Sequence, residues 1–297
     1  MISLAELQEK TFEWGLPIAT VEKDYVLGWM LWAIGSQDEI KDQWIFKGGT
    51  CLKKCFIDSW RFSEDLDFSL LPNSFFEESK LLDLLISLQM RIQMESGIDF
   101  SVMPPVIRLR PGEKTAEGRM YFKSITGMSH SPLSIKLDLT LSEPIVTPPV
   151  SRKIHHDYSD GLGMPGEVNC YSFTELFAEK IRAMGERSRP RDLYDIIHLY
   201  WRENKEVKGK EVANILREKC KNKSIPLVTY ETISHSPFLN ELKSEWENML
   251  RHQLKDLPPF EEFWKVLPNF FDWLYLNDCQ THLEMSYVLP NRNVLFS

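Results

Sequence analysis

Asp65 and Asp67 stand two residues apart in Glu64 to Leu70, a run that alternates as a strand does. Their carboxylates therefore share one face while Leu66 and Phe68 take the other. Two like charges so close repel, and a divalent cation would relieve them. Magnesium favours oxygen ligands, commonly one or two carboxylates plus substrate phosphates. Upstream, Gly48-Gly49-Thr50 marks a strand-to-helix turn whose bare amides and hydroxyl suit phosphate oxygens, with Lys53 one turn further on. A third acid is offered by Ser134 to Leu141, where Lys136, Asp138 and Thr140 share a face opposite Ile135, Leu137 and Leu139. Taken together, a phosphate-binding turn, a helix and strand-borne acids suit two-metal phosphoryl or nucleotidyl transfer. Each part also has a plainer reading: a tight turn for the glycines, a solvated strand face for the acids.

The elements that must position these residues follow from periodicity. Ser3-Leu4-Ala5-Glu6 predicts a capping box and a first helix. Ile18 to Ile34 predicts a buried second helix, with Val21, Tyr25, Gly28, Trp29 and Trp32 at helical spacing. Gln43 to Lys47 predicts a strand, Thr50 to Phe56 a helix, and 73–96 a long amphipathic helix. Strands are expected at Val102 to Leu109, Met120 to Ile125 and Leu133 to Leu141, separated by Pro111-Gly112 and the turn-rich 127–132. From Ser172 onward helices are expected at 172–186, 191–201, 210–220, 240–254 and 259–276. The pattern is α+β, with a first domain over 1–166 and a helical domain over 167–297; the boundary falls in the Pro- and Gly-rich Pro144 to Gly166.

Composition narrows the class. The chain has 297 residues, 26% charged and 12% aromatic, which speaks against disorder. No apolar run reaches the roughly 18 residues of a membrane span. Met1 to Lys10 lacks a signal-peptide pattern. Five cysteines without a Cys-x-x-Cys pair read as reduced thiols in a cytoplasmic protein. Cys51 and Cys55, on one helix face, read as core thiols. His155-His156 reads as loop rather than metal site, because adjacent residues on extended chain point opposite ways.

The KGGT turn and RFSEDLDF resemble the first motif of the nucleotidyltransferase superfamily that includes polymerase β. More closely, EKDYVLGWML (22–31), FKGGTCLKK (46–54), RFSEDLDF (61–68) and FAEKIRAMGERSRPRDLYDI (177–196), with the tail around Pro258 to Leu274, resemble the AbiEii toxins of type IV toxin-antitoxin systems. That resemblance implies a nucleotidyltransferase-like mixed sheet flanked by helices. It implies Gly48, Gly49, Ser63, Asp65 and Asp67 as first-motif residues, with Lys180 and Asp192 as later basic and acidic positions. It further implies a nucleoside triphosphate substrate, GTP or another, a tRNA 3′ end as a plausible acceptor, and a cognate antitoxin encoded nearby without a stable complex.

On this reading Asp65, Asp67 and Asp138 hold Mg2+ or Mn2+, and Asp138 positions or deprotonates the attacking hydroxyl. Gly48, Gly49, Thr50, Lys53, Ser63 and Lys180 bind the triphosphate, with Asp192 alongside. Lys180 and Arg187, seven apart on one helix, could act together on phosphate. Simpler roles stay open: Asp192 could cap its helix or pair with Arg189 or Arg191, and Lys180 could pair with Glu179 or Glu175. Lys23 and Asp24 fit a charged helix exterior. A nucleotide-binding module without turnover, or an enzyme acting on a small molecule or protein, are the alternative functions.

The net charge of −8 argues against broad nucleic-acid binding, but its distribution does not exclude a local one. Residues 47–61, 101–136 and 179–191 carry +3, +4 and +3, so the remainder carries −18. Local potential governs attraction of a phosphate chain.

Overall fold

The computed structural model describes residues 1–275 except 113, 128–131, 165 and 203–206. Helices α1 (Leu4–Trp14) and α2 (Ile18–Gly35) lead into β1 (Trp44–Lys47). Next come α3 (Gly48–Cys51), continued by a π-helical turn over Leu52–Phe56, then β2 (Asp65–Leu70) and α4 (Glu78–Ser96). β3 (Val106–Leu109), β4 (Thr115–Phe122), β5 (Leu133–Thr140), β6 (Val150–Lys153) and β7 (Glu167–Cys170) complete the strands. The helical portion comprises α5 (Phe173–Arg187), α6 (Pro190–Trp201) and α7 (Gly209–Asn222). Five shorter helices follow: α8 (Tyr230–Ser234), α9 (Leu239–Ser244), α10 (Trp246–Leu250), α11 (Phe260–Trp264) and α12 (Leu267–Tyr275).

The strands form one mixed sheet in the order β3-β4-β5-β2-β1-β7-β6. β1 runs antiparallel to β2 and parallel to β7, and β2 runs parallel to β5. Alternation splits the sheet into an apolar and a polar face. Trp44, Phe46, Leu66, Phe68, Leu137 and Leu139 are buried on the apolar face. There α2 packs on β5 and β7, and α4 on β3. Lys47, Asp65, Asp67, Ser69, Lys136 and Asp138 line the opposite face.

Some expectations need correction. Ser3 accepts the Glu6 amide at 3.1 Å, but the Glu6 carboxylate accepts the Ser159 amide at 2.7 Å instead of closing the capping box. The fourth strand starts at Thr115, because its alternating burial continues N-terminally past Met120. Pro144 to Gly166 contains β6, and the sheet crosses residue 166, since Phe46 of β1 pairs with Cys170 of β7. The helical part thus begins at Phe173. The helix expected over 240–254 is divided into α9, α10 and a final 3₁₀ turn, Arg251–Gln253. That over 259–276 is divided at Lys265–Val266, which leaves Pro268 in the first turn of α12, where its missing N–H costs no intrahelical bond. Cys279 lies outside the described residues. Among those residues no helix is long and apolar enough to cross a membrane.

Candidate active site

Strand register brings the acids together. Asp67 lies opposite Asp138 and Asp65 opposite Lys136 across the parallel β2–β5 pair, so all three carboxylates rise from the polar face. Asp138 is held by Lys136 at 2.8 Å. Among the described residues neither Asp65 nor Asp67 forms an ion pair. Burial pushes the Asp67 carboxyl up to about 6; Lys47 opposes that shift, while Asp138 and Asp65 reinforce it. Asp65 is also raised, chiefly by burial, with Arg191 and then Lys136 opposing the shift. Partly buried, mutually repelling oxygen donors fit a hard divalent cation, which would supply the missing positive charge.

The turn approaches these acids closely. Gly48 has φ +86, and a Cβ there would sit 2.4 Å from Asp67 Oδ2, so a side chain would meet both backbone strain and a clash. At Gly49 a Cβ would stand 3.0 Å from the Arg61 guanidinium, 3.1 Å from Ser63 Oγ and 3.6 Å from Lys180 Nζ. Gly48, Gly49, Ser63 and Lys180 thus converge beside Asp67. Thr50 is buried and donates its hydroxyl to the Asp65 carbonyl at 2.5 Å, pinning α3 to the acid-bearing strand. Lys53 is directed elsewhere: its ammonium meets the Asp58 carbonyl and lies 4.5 Å over the Phe62 ring. Among the described residues it forms no ion pair with Asp65, Asp67 or Asp138.

A basic wall rises from the helices. Asp195, fully buried on α6, receives Arg61 through two 2.7 Å bonds and Lys180 through a third. Burial would raise its pKa, but Arg61 and then Lys180 overcome that and bring it to about 2. Gln253 adds a 2.8 Å bond to Arg61, and its carbonyl takes the Phe62 amide at 3.0 Å. The Arg61–Ser63 loop is therefore clamped by distant elements. Asp192 is buried and paired with Arg187 at 2.7 and 2.9 Å, rather than with Arg189 or Arg191. Lys180 turns to Asp195, while Glu175 and Glu179 are taken by Lys219 at 3.0 and 3.4 Å.

Arg61, Asp195, Lys47 and Arg191 were not singled out as site residues from sequence. Lys47 lies opposite Asp67 in the β1–β2 register and forms an ion pair with Glu143. Its pKa falls to about 8: burial dominates, while Glu179 and Asp67 support the charged form. Arg191 forms no ion pair among the described residues, and Asp65 lies within its electrostatic reach. One signal was readable: Lys47 directly precedes the glycine turn, and Arg61 stands two residues before Ser63. Asp24 corrects the exterior reading, being buried against Lys54 at 2.7 Å and Tyr158 at 3.0 Å, whereas Lys23 pairs with Glu64.

A family model described as nucleotidyl transferase AbiEii toxin, type IV TA system, matches residues 29–272. Among solved structures, MenT4, a nucleotidyltransferase toxin from Mycobacterium tuberculosis, superposes with TM-score 0.67 at 14% identity, covering 95% of this chain and 91% of its own. JHP933 from Helicobacter pylori superposes with TM-score 0.57 at 15% identity, covering 88% of this chain and 94% of its own. These likenesses establish a shared fold. No curated protein sequence matches the chain.

Proposed function

The chain belongs to the AbiEii nucleotidyltransferase toxin family of type IV toxin-antitoxin systems, and from that premise we propose that it transfers a nucleotide from a nucleoside triphosphate to an acceptor hydroxyl. The observation carrying this reading is the pair Asp65 and Asp67, without ion-pair partners among the described residues and beside Gly48, with Asp138 in register on the next strand. GTP is a candidate donor, a tRNA 3′ end a candidate acceptor, and an antitoxin encoded nearby the candidate partner.

Asp65, Asp67 and Asp138 would hold Mg2+ or Mn2+, which when bound neutralises phosphate charge. Gly48 and Gly49 leave room for phosphate oxygens beside Ser63. Lys180 and Arg61, positioned by Asp195, present positive charge to the triphosphate. Thr50 and Asp192 act as positioning residues, through Asp65 and Arg187 respectively. Asp138 orients the acceptor hydroxyl and accepts its proton. The acceptor oxygen bonds to the α-phosphorus, the bond to the α–β bridging oxygen breaks, and pyrophosphate leaves.

The test supplies each of four α-labelled nucleoside triphosphates with magnesium and total RNA, then identifies the labelled species. Label should appear on RNA with the native chain and vanish with Asp65→Ala, which should also abolish growth inhibition. Toxicity retained by folded Asp65→Ala would refute the mechanism. Nucleotide binding without label on RNA, protein or small molecules would identify a module without turnover.

A further inference from the structure

Behind the glycine turn, three thiols that take no part in the proposed reaction meet in the core. Cys51 ends α3, Cys55 lies four residues on in the π-helical turn, and Cys170 ends β7. All three are buried, and their sulfurs lie within 4.8 Å of one another. They come from segments more than a hundred residues apart, joined where Cys170 pairs with Phe46 of β1. The separation is close to what a metal requires. With Zn–S bonds of about 2.3 Å, tetrahedral sulfurs stand about 3.8 Å apart, so closure needs movement of about 1 Å or less.

The surroundings supply the remaining requirements. The Val150 carbonyl accepts from Cys170 Sγ at 3.4 Å, and loss of that thiol proton would leave its oxygen at a separation close to the roughly 3.6 Å expected between sulfur and oxygen ligands of one tetrahedral zinc. Three thiolates around a divalent ion leave one negative charge. Arg152, whose guanidinium stacks 4.5 Å over Phe56 and acts electrostatically on Cys170, offsets it. A monovalent ion would leave two negative charges among apolar neighbours, which is costlier. Hard cations are disfavoured by an all-sulfur triad.

We propose that Cys51, Cys55 and Cys170, with the Val150 carbonyl, form a closed structural site for a thiophilic divalent d10 cation of the zinc class. Binding replaces the thiol protons, which pass to solvent, and forms three metal–sulfur bonds without electron transfer. The site would fasten the glycine turn to β7, because Cys51 directly follows Thr50 and Thr50 holds Asp65.

The full-length protein, purified under a phosphine reductant, should contain one zinc per chain by elemental analysis. After chelation and removal of the chelator, Cd2+ titration should give a thiolate-to-metal charge-transfer band saturating at one equivalent and releasing about three protons. It should also raise the unfolding temperature. Cys170→Ser and Cys55→Ala, each checked for folding by circular dichroism, should weaken Cd2+ binding beyond the roughly 10–100-fold typical of a lost outer-shell partner. The double variant Cys220→Ser/Cys279→Ser should bind as the parent does. Absence of the band in folded parent protein, its persistence in both cluster variants, or its loss in the Cys220/Cys279 variant would each overturn the proposal.

Discussion

Asp67→Asn separates the structural cost of the acid cluster from its function. Asp67 titrates at about 6 in the folded chain against an ordinary 3.8, mainly because it is buried. The folded state therefore binds more protons than the unfolded state between about pH 4 and 6, and stability falls as pH rises through that window. The penalty is absent below pH 4 and complete above pH 6. At about 1.4 kcal/mol per pKa unit it has an upper limit of roughly 3 kcal/mol, and solvent screening of the partly exposed carboxylate brings it to about 1–3 kcal/mol. Metal-free Asp67→Asn should accordingly be more stable than the parent by that amount at pH 8, and equal to it at pH 4. Urea denaturation with chelator at both pH values measures this. Magnesium should reverse the order at pH 8, since a ligand stabilises in proportion to RT ln(1 + [L]/Kd) and the variant lacks a ligating oxygen. A metal-free variant destabilised equally at both pH values would refute the electrostatic account. Magnesium stabilisation undiminished in the variant would remove Asp67 from the metal set.

Asp195→Ala leaves Arg61 and Lys180 buried without their anion and should cost about 3–5 kcal/mol, measured by denaturant midpoint. Gly48→Ala should destabilise by about 1–2 kcal/mol through its positive φ, and should raise the magnesium requirement by displacing Asp67. Lys180→Ala should raise KM for the nucleotide about tenfold or more, as expected for loss of one charged contact of 1.5–3 kcal/mol. Lys53→Ala should leave that KM within twofold, because its ammonium serves the 58–62 loop; equal effects from the two lysines would contradict this placement.

The residues that encode the site most openly are those whose spacing mirrors one element. Asp65 and Asp67 are legible because a strand repeats every two residues, and Asp138 because it interrupts an apolar alternation. Gly48-Gly49 is legible as a turn. The parallel register that sets Asp138 beside Asp67 is not, since it depends on sheet order rather than on any local pattern. Thr50 and Lys53 show the limit from the other side: both sit at suitable sequence positions, yet packing directs one to the backbone carbonyl of Asp65 on β2 and the other to Asp58. The partners of Lys180 and Asp192 come from the α5–α6 packing, where the neighbouring helix outcompetes the adjacent residue. β6 was hidden because Val150–Lys153 lies in a Pro- and Gly-rich segment and shows no alternation of burial, and β7 because its four residues follow that segment directly.

The Arg61–Gln253 clamp ties assembly of the site to the order of synthesis. Arg61 is bonded to a side chain 192 residues further along the chain. A ribosome that has made the strands of the sheet has already supplied Asp65, Asp67 and Asp138, but the loop beside them has neither Asp195 nor Gln253 to hold it. Such distant closure also carries a large entropic cost before its contacts form, and so tends to come late in folding. A nascent or prematurely terminated chain ending before residue 253 would carry every acid of the cluster without the completed clamp.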